Sequence, residues 1–221
     1  MSALNEQVKG IISNIKVTVI VPVYNQERLV IRALQSIPER DDIEIVVIDD
    51  GSTDNTWNLL LKYREDNIAD KNIILLYNKK NKGVAYTINK GYDNASGEYV
   101  VLLGSDDYFY TKEFEKMLDK LDGTDIIFFQ TTNNYGMVEL NEHNKCGSFK
   151  FVRRDFLKDL RNDEFRLAGE DYHLWQKMLE KKPTIKECDL VVKHYNYPRE
   201  GSLNWEINMG IIDLESGLKC K

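Results

Sequence analysis

Four short apolar runs, each followed by a stretch with helical spacing, constrain the fold of this 221-residue chain more than any other feature. They are Lys16-Val17-Thr18-Val19-Ile20-Val21-Pro22, Ile43 to Ile48, Asn72 to Tyr77 and Gly97 to Leu103. Runs of this length, rich in β-branched residues and bounded by turn residues, read as buried strands. The first should stop at Pro22, which lacks the N–H that a strand ladder needs. After it, Glu27 to Ile37 carries Leu29, Val30, Ala33, Leu34 and Ile37 on one helical face. A second helix should begin after Ser52 or Thr53, either of which could cap it. A third covers about Val84 to Ala95. This alternation is the pattern of right-handed βαβ units, so the fold class is α/β, a Rossmann-like, mostly parallel sheet flanked by helices.

Beyond Asp107 the alternation loosens. Lys112 to Leu121 reads as a helix, Asp125 to Gln130 as a strand and residues 131–150 as hairpin or loop. Phe151 to about Leu160 reads as helix, Tyr172 to Leu179 as another, and Ile185 to Val192 as one more strand. Residues 193–206 form a long segment with His194, Tyr195, Tyr197, Arg199, Gly201 and Ser202, which suggests a cover that closes on its ligand. No repeat or linker interrupts the chain, so it divides into an N-terminal extension (1–15), a single domain (16–206) and a C-terminal tail (207–221).

The net charge of −6 speaks against a nucleic-acid partner, whose phosphates are met by basic surfaces. Three scattered cysteines, Cys146, Cys188 and Cys220, have no metal-ligand spacing and suggest reduced thiols in the cytoplasm. Residues 1–16 are mixed and polar, unlike a secretory signal, and the apolar runs are too short to cross a bilayer. Membrane contact would therefore be peripheral.

Several polar clusters fall where the strands end. Gly97 to Leu103 leads into Ser105-Asp106-Asp107. Adjacent carboxylates at the mouth of an apolar strand repel each other unless a cation neutralises them, and oxygen ligands suit Mg²⁺ or Mn²⁺ bridging to phosphates. Capping of the helix near Thr111 is the plainer use of the same residues. Asp49-Asp50-Gly51-Ser52 ends the second strand, where a carboxylate can accept from a nucleobase N–H or serve the following helix. Asn81-Lys82-Gly83 is either an anion-binding loop at a helix N-terminus or an ordinary turn. Glu170-Asp171 opens a helix, where carboxylates complement the dipole and where Asp171 could also serve as a general base. His194 and Trp175 read more readily as structural residues than as ligand contacts. No P-loop and no dinucleotide fingerprint is present.

Taken in order, these pieces resemble the family 2 glycosyltransferases of the GT-A fold. The matching residues are Val19-Ile20-Val21-Pro22-Val23-Tyr24-Asn25, Val47 to Asp54, Asn81-Lys82-Gly83 with Asn89-Lys90-Gly91, Gly97 to Asp107, and Gly169-Glu170-Asp171-Tyr172. The resemblance runs from about Lys16 to about Asn204. It implies a metal-dependent, inverting transfer of one sugar from a nucleotide donor, a UDP-sugar, to an acceptor hydroxyl, in glycan or cell-surface polysaccharide synthesis. Pro22, Tyr24 and Asp50 would hold the base, supported by Asn81. Asp106 and Asp107 would bind the ribose and the Mn²⁺ or Mg²⁺, His194 would complete the metal shell, and Asp171 would be the catalytic base. Tyr197 to Ser202 resembles the family's diphosphate-covering loop, with Arg199 and Ser202 as contacts. Two positions depart from the family pattern: Gly104 stands where many members carry another aspartate, and Ile88 where many carry an arginine. The acceptor is not legible in the sequence. The rival readings are a nucleotidyltransferase, which would carry a Gly-rich basic N-terminal signature, and a catalytically silent binding protein on the same fold.

Overall fold

A computed structural model of the chain describes residues 15–67, 69, 71–138, 140, 145–164 and 169–197. The strands are β1 (Val17–Val23), β2 (Ile43–Asp49), β3 (Asn72–Tyr77), β4 (Tyr99–Leu102), β5 (Tyr108–Phe109), β6 (Ile126–Asn133), β7 (Gly136–Val138), β8 (Lys150–Arg153) and β9 (Ile185–Tyr195). The helices are α1 (Val30–Gln35), α2 (Thr56–Asp66), α3 (Val84–Asn94), α4 (Thr111–Leu118), α5 (Arg154–Leu157) and α6 (Glu170–Glu180). One sheet runs β3-β2-β1-β4-β8-β6-β9-β5, with β7 paired to β6.

The first four strands pair in parallel, with Val19 opposite both Ile45 and Val101. β1 and β2 are apolar along nearly their whole length because both faces of the sheet are covered. On one face Val19, Val21, Ile45 and Val47 pack with Leu34, Leu60 and Phe114. On the other, Ile20, Val46, Ile48, Val100 and Phe128 pack with Leu174, Trp175 and Met178 of α6. Trp175 is a core residue.

β1 does not stop at Pro22 but continues to Val23. The reason is positional. Ile20 accepts the last bond from the β4 side through Leu103 N–H, and alternation turns Pro22 toward that same side, beyond the end of the β4 ladder. The missing N–H has no ladder partner to lose.

Three further differences from the sequence reading are tertiary. Phe151 to Leu160 was expected as a helix, yet Lys150–Arg153 is a strand and only Arg154–Leu157 is helical. Phe151 sits between Val101 of β4 and Ile127 of β6, so pairing on both sides overrides local preference. Because β8 is antiparallel to both neighbours, the sheet is mixed rather than mostly parallel; among the described residues four pairings are parallel and four antiparallel. The last strand extends to Tyr195, so the start of the expected covering segment is strand, with Lys193 fully buried. Among the described residues no helix is long and apolar enough to cross a membrane.

Candidate active site

The C-terminal ends of β1, β2 and β4 place Tyr24-Asn25, Asp50-Gly51-Ser52 and Ser105-Asp106-Asp107 on one edge of the sheet, the edge where α/β folds bind ligands. The first two loops are stitched together. Asn25 N–H donates to Ser52 Oγ (2.9 Å), and Thr53 N–H donates to Asn25 Oδ1 (2.8 Å). Ser52 and Thr53 therefore do not cap α2, which begins three residues later at Thr56, whose N–H is taken by Asp54 Oδ1 (3.0 Å). Tyr24 is left 42% exposed at the rim, and Pro22 is half-buried.

Asp50 is almost fully buried, and its carboxylate organises the adjacent loop. Oδ1 accepts from Asn78 Nδ2 (2.9 Å) and Lys82 N–H (2.9 Å), and Oδ2 accepts from Gly83 N–H (2.8 Å). Lys90 Nζ donates to Asn78 Oδ1 (2.7 Å), extending the network behind it. The anion at the N-terminus of α3 is thus the chain's own Asp50, and Asn81 serves the turn by accepting from Gly83 N–H (2.9 Å). Gly51 makes this possible. It has φ +74°, and a Cβ there would lie 2.6 Å from the Lys80 carbonyl carbon, so only glycine lets the two loops touch. Asp49 beside it accepts from Ser52 N–H through Oδ1 (2.8 Å) and is pushed up in pKa by burial. Ile88 is a buried residue of α3.

The paired aspartates are not equivalent. Asp106 is half-buried, and its backbone carbonyl accepts from Arg32 of α1. Asp107 is 2% exposed. Its Oδ2 accepts from the fully buried Lys193 Nζ (3.1 Å), and its Oδ1 from Asn196 N–H (2.9 Å). Burial pushes the Asp107 carboxyl up, against the pull of Lys193. His194 stacks on Tyr108 with ring centroids 4.7 Å apart. Its Nδ1 meets Thr132 Oγ1 (3.1 Å) and its Nε2 meets Asn134 Oδ1 (3.0 Å), and burial lowers its pKa. Among the described residues no group of three His, Cys, Asp or Glu side chains is gathered for a metal. The carboxylate oxygens of this loop are the donor type that Mg²⁺ and Mn²⁺ take, and Asp107 and His194 are engaged with protein partners.

Asp171 lies at the first turn of α6, exposed, with Oδ1 accepting from Tyr172 N–H (2.7 Å). The turn before β8 joins it to the aspartate loop. Ser148 of that turn accepts from Lys193 Nζ (2.6 Å), while the Cys146 thiol is hydrogen-bonded to Asp171. Burial first, then the Asp171 charge, push that thiol up to about 11. Lys150 braces the turn by donating to the carbonyls of Lys145, Cys146 and Gly147, and burial lowers its pKa to about 8. Asn89 braces the approach to α6 from the other side, donating to Asn162 O (3.0 Å) and Glu164 Oε1 (2.9 Å). Asn78, Cys146, Ser148, Lys150 and Lys193 carried no motif that singled them out; only Asn89 lay in one. Arg199 and Ser202 lie outside the described residues.

Glu170 is half-buried beside Asp171, and burial followed by the Asp171 charge push its carboxyl up to about 7. The unfolded chain releases this proton near pH 4.5. Between those values the folded state binds more protons, so stability should fall as pH rises through the window. The expected difference between pH 5 and pH 8 is about 2 kcal/mol after discounting for partial exposure. Denaturant titrations of wild type and Glu170→Gln check it, since the variant should lack this part of the slope.

The family model described as glycosyl transferase family 2 matches residues 18–168. A curated Escherichia coli protein named UDP-Glc:alpha-D-GlcNAc-diphosphoundecaprenol beta-1,3-glucosyltransferase WfaP is 28% identical over 200 residues, covering 81% of this chain and 76% of its own. An uncharacterized glycosyltransferase of Rickettsia conorii is 35% identical over 143 residues, 64% of this chain, and the chain spans 22% of that relative's length. Among solved structures, S. aureus TarS 1-349 in complex with UDP-GlcNAc superposes with TM-score 0.73 at 25% identity, covering 85% of this chain and 60% of that one. A Pyrobaculum calidifontis mannosyltransferase in complex with GDP-Man and Mn²⁺ shares the fold, with TM-score 0.70 at 22% identity over 88% of this chain and 61% of its own. With its motifs gathered on one sheet edge and the family model spanning most of the domain, the chain belongs to glycosyl transferase family 2.

Proposed function

We propose that residues 16–206 form a catalytic unit that transfers one sugar, with inversion, from a UDP-sugar to an acceptor hydroxyl, in the cytoplasm and toward a glycan or cell-surface polysaccharide. The observation that carries this reading is the convergence of Tyr24, the Asp50 loop and Asp106 on one sheet edge, with Asp171 joined to the same edge through the turn bearing Cys146 and Ser148. The uridine donor is supported by the name of the E. coli relative and by the TarS complex. In this reading Pro22 and Tyr24 flank the base, Asp50 and Asn81 shape its floor, and Asp106 meets the ribose. Arg199 and Ser202 contact the diphosphate.

The chemistry then follows from the base. Asp171 takes the proton of the acceptor hydroxyl while its oxygen attacks C1 of the donor sugar from the face opposite the diphosphate. The bond from C1 to the phosphate oxygen breaks, and its electron pair leaves with UDP. Mn²⁺ or Mg²⁺, held through Asp106, would offset charge on that leaving group.

Incubation with a panel of UDP- and GDP-sugars checks the reading. Release of UDP, slow to water and faster with added glycan acceptors, is the expected result. Release of pyrophosphate from a nucleoside triphosphate would favour nucleotidyl transfer instead, and donor binding without any turnover would favour a silent binding protein.

A further inference from the structure

The turn before β8 is held by a buried cation. Lys150 is 8% exposed, and its ammonium has three protons for three acceptors: Lys145 O (2.9 Å), Cys146 O (2.7 Å) and Gly147 O. The rings of Phe128 and Trp175 lie over it, with centroids at 5.8 and 5.6 Å. Trp175 follows Asp171 by four residues on α6, so the two share one face of that helix. The ammonium therefore lies against the helical face to which Asp171 belongs, with every proton already placed.

Contact with Asp171 comes instead from Cys146, whose thiol is hydrogen-bonded to the carboxylate. Burial first, then the Asp171 charge, hold that thiol at a pKa of about 11. An ionised carboxylate has no proton to give, so the S–H is the donor at neutral pH. Asp171 is exposed at the first turn of α6, and the bond from Tyr172 N–H (2.7 Å) comes from the adjacent residue, so it travels with the helix. The thiol is a contact from a different element. It ties the carboxylate to the turn whose Ser148 also accepts from Lys193.

We propose that Cys146 and Lys150 are positioning residues for the base: the turn braced by Lys150 presents the Cys146 thiol to Asp171 and sets the direction from which the carboxylate meets the acceptor hydroxyl. A general base must point at the proton it takes, and misplacement by about 1 Å can cost about 10²-fold. A thiol is a weak donor, so the contact steers the carboxylate, and about a tenfold effect is expected. The assignment rests on the reading of Asp171 as the base.

Three measurements on the full chain test it: single-turnover transfer with the donor and acceptor that the sugar panel identifies, UDP affinity by calorimetry, and the infrared S–H stretching band. Cys146→Ala should slow the chemical step about tenfold and leave UDP affinity within about twofold. Cys146→Ser keeps a donor and should recover to within about threefold of wild type. In an Asp171→Asn background, Cys146→Ala should have no further effect, because the base it positions is gone. A thiol serving the turn alone would cost the same in both backgrounds. The Cys146 S–H band, assigned by its loss in Cys146→Ser, should move toward its free position in Asp171→Ala and part of the way in Lys150→Met. Transfer by Cys146→Ala at the wild-type rate, no recovery in Cys146→Ser, or an equal loss in both backgrounds overturns the assignment. So does a band that ignores Asp171→Ala, a readout that stands even if Cys146→Ala does not fold. A band that ignores Lys150→Met removes Lys150 from the assignment. Full activity of Asp171→Asn, or no transfer by wild type, would sink the functional reading and this inference with it. A crippled Asp171→Asn beside a fully active Cys146→Ala sinks the inference alone.

Discussion

Asp171→Asn is expected to reduce sugar transfer by about 10²–10⁴-fold, the usual contribution of a positioned general base. Folding and UDP affinity should change little. Asparagine keeps an Oδ1 that can accept from Tyr172 N–H, the bond Asp171 makes in the native turn. It cannot take a proton from an acceptor hydroxyl. The loss should therefore fall on the chemical step in single-turnover measurements with donor and acceptor saturating. Cys146 gives an internal check, because the Asp171 charge is one cause of its high thiol pKa. That pKa should come down in the variant, which thiol alkylation against pH would read. The neighbouring Glu170, half-protonated near neutrality, is the competing candidate. If Asp171→Asn transfers at the wild-type rate and Glu170→Gln does not, the base is Glu170. If Asp171→Asn unfolds the protein, the carboxylate was serving the helix alone.

Asp50→Ala should be the most damaging single change on the donor side. It takes the Asp50 acceptor from three donors, Asn78 Nδ2, Lys82 N–H and Gly83 N–H, of which Gly83 N–H keeps Asn81 Oδ1. Hydrogen bonds to a charged group contribute about 1.5–3 kcal/mol each, and some of the freed donors will reach water. A stability loss of about 3 kcal/mol is expected, with UDP affinity falling at least tenfold as the loop from Asn78 to Gly83 loses its anchor. Asp50→Asn should be intermediate, since its oxygen can still receive two of the donors while its amide cannot receive Gly83 N–H. An Asp50→Ala protein as stable as wild type, measured by urea titration, would show that the carboxylate does not hold the loop. Loss of UDP affinity alone, with stability unchanged, would assign Asp50 to the base instead.

Local pattern carried the first half of the molecule well. β2 falls where its apolar run lies because a strand buried on both faces needs an unbroken apolar run; β3, half-buried at the sheet edge, keeps its run because Ile73 and Leu75 pack on one face and Ile74 and Leu76 on the other, and α3 matches its helical period. The carboxylates at the strand ends were legible for a related reason, since charge directly after an apolar run has few structural uses. Strand β8 was hidden, because Lys150–Arg153 has no period of its own and becomes a strand only between β4 and β6.

The partners of the site carboxylates were hidden more deeply. Asp50 reads as a group awaiting a ligand, yet the chain returns at Asn78 to Gly83 to satisfy it. Asp107 reads as a metal ligand, yet Lys193, 86 residues on in the chain, is brought to it by the pairing of β9 with β5, the strand that follows Asp107. The sequence by itself determined which residues carry charge and at which strand ends they emerge, because those follow from local periodicity and turn chemistry. Only the tertiary structure decided which of those charges face solvent and which are already paired. Charge compensation in a low-dielectric interior depends on distance in space, and the strand pairing that sets those distances has no local signature.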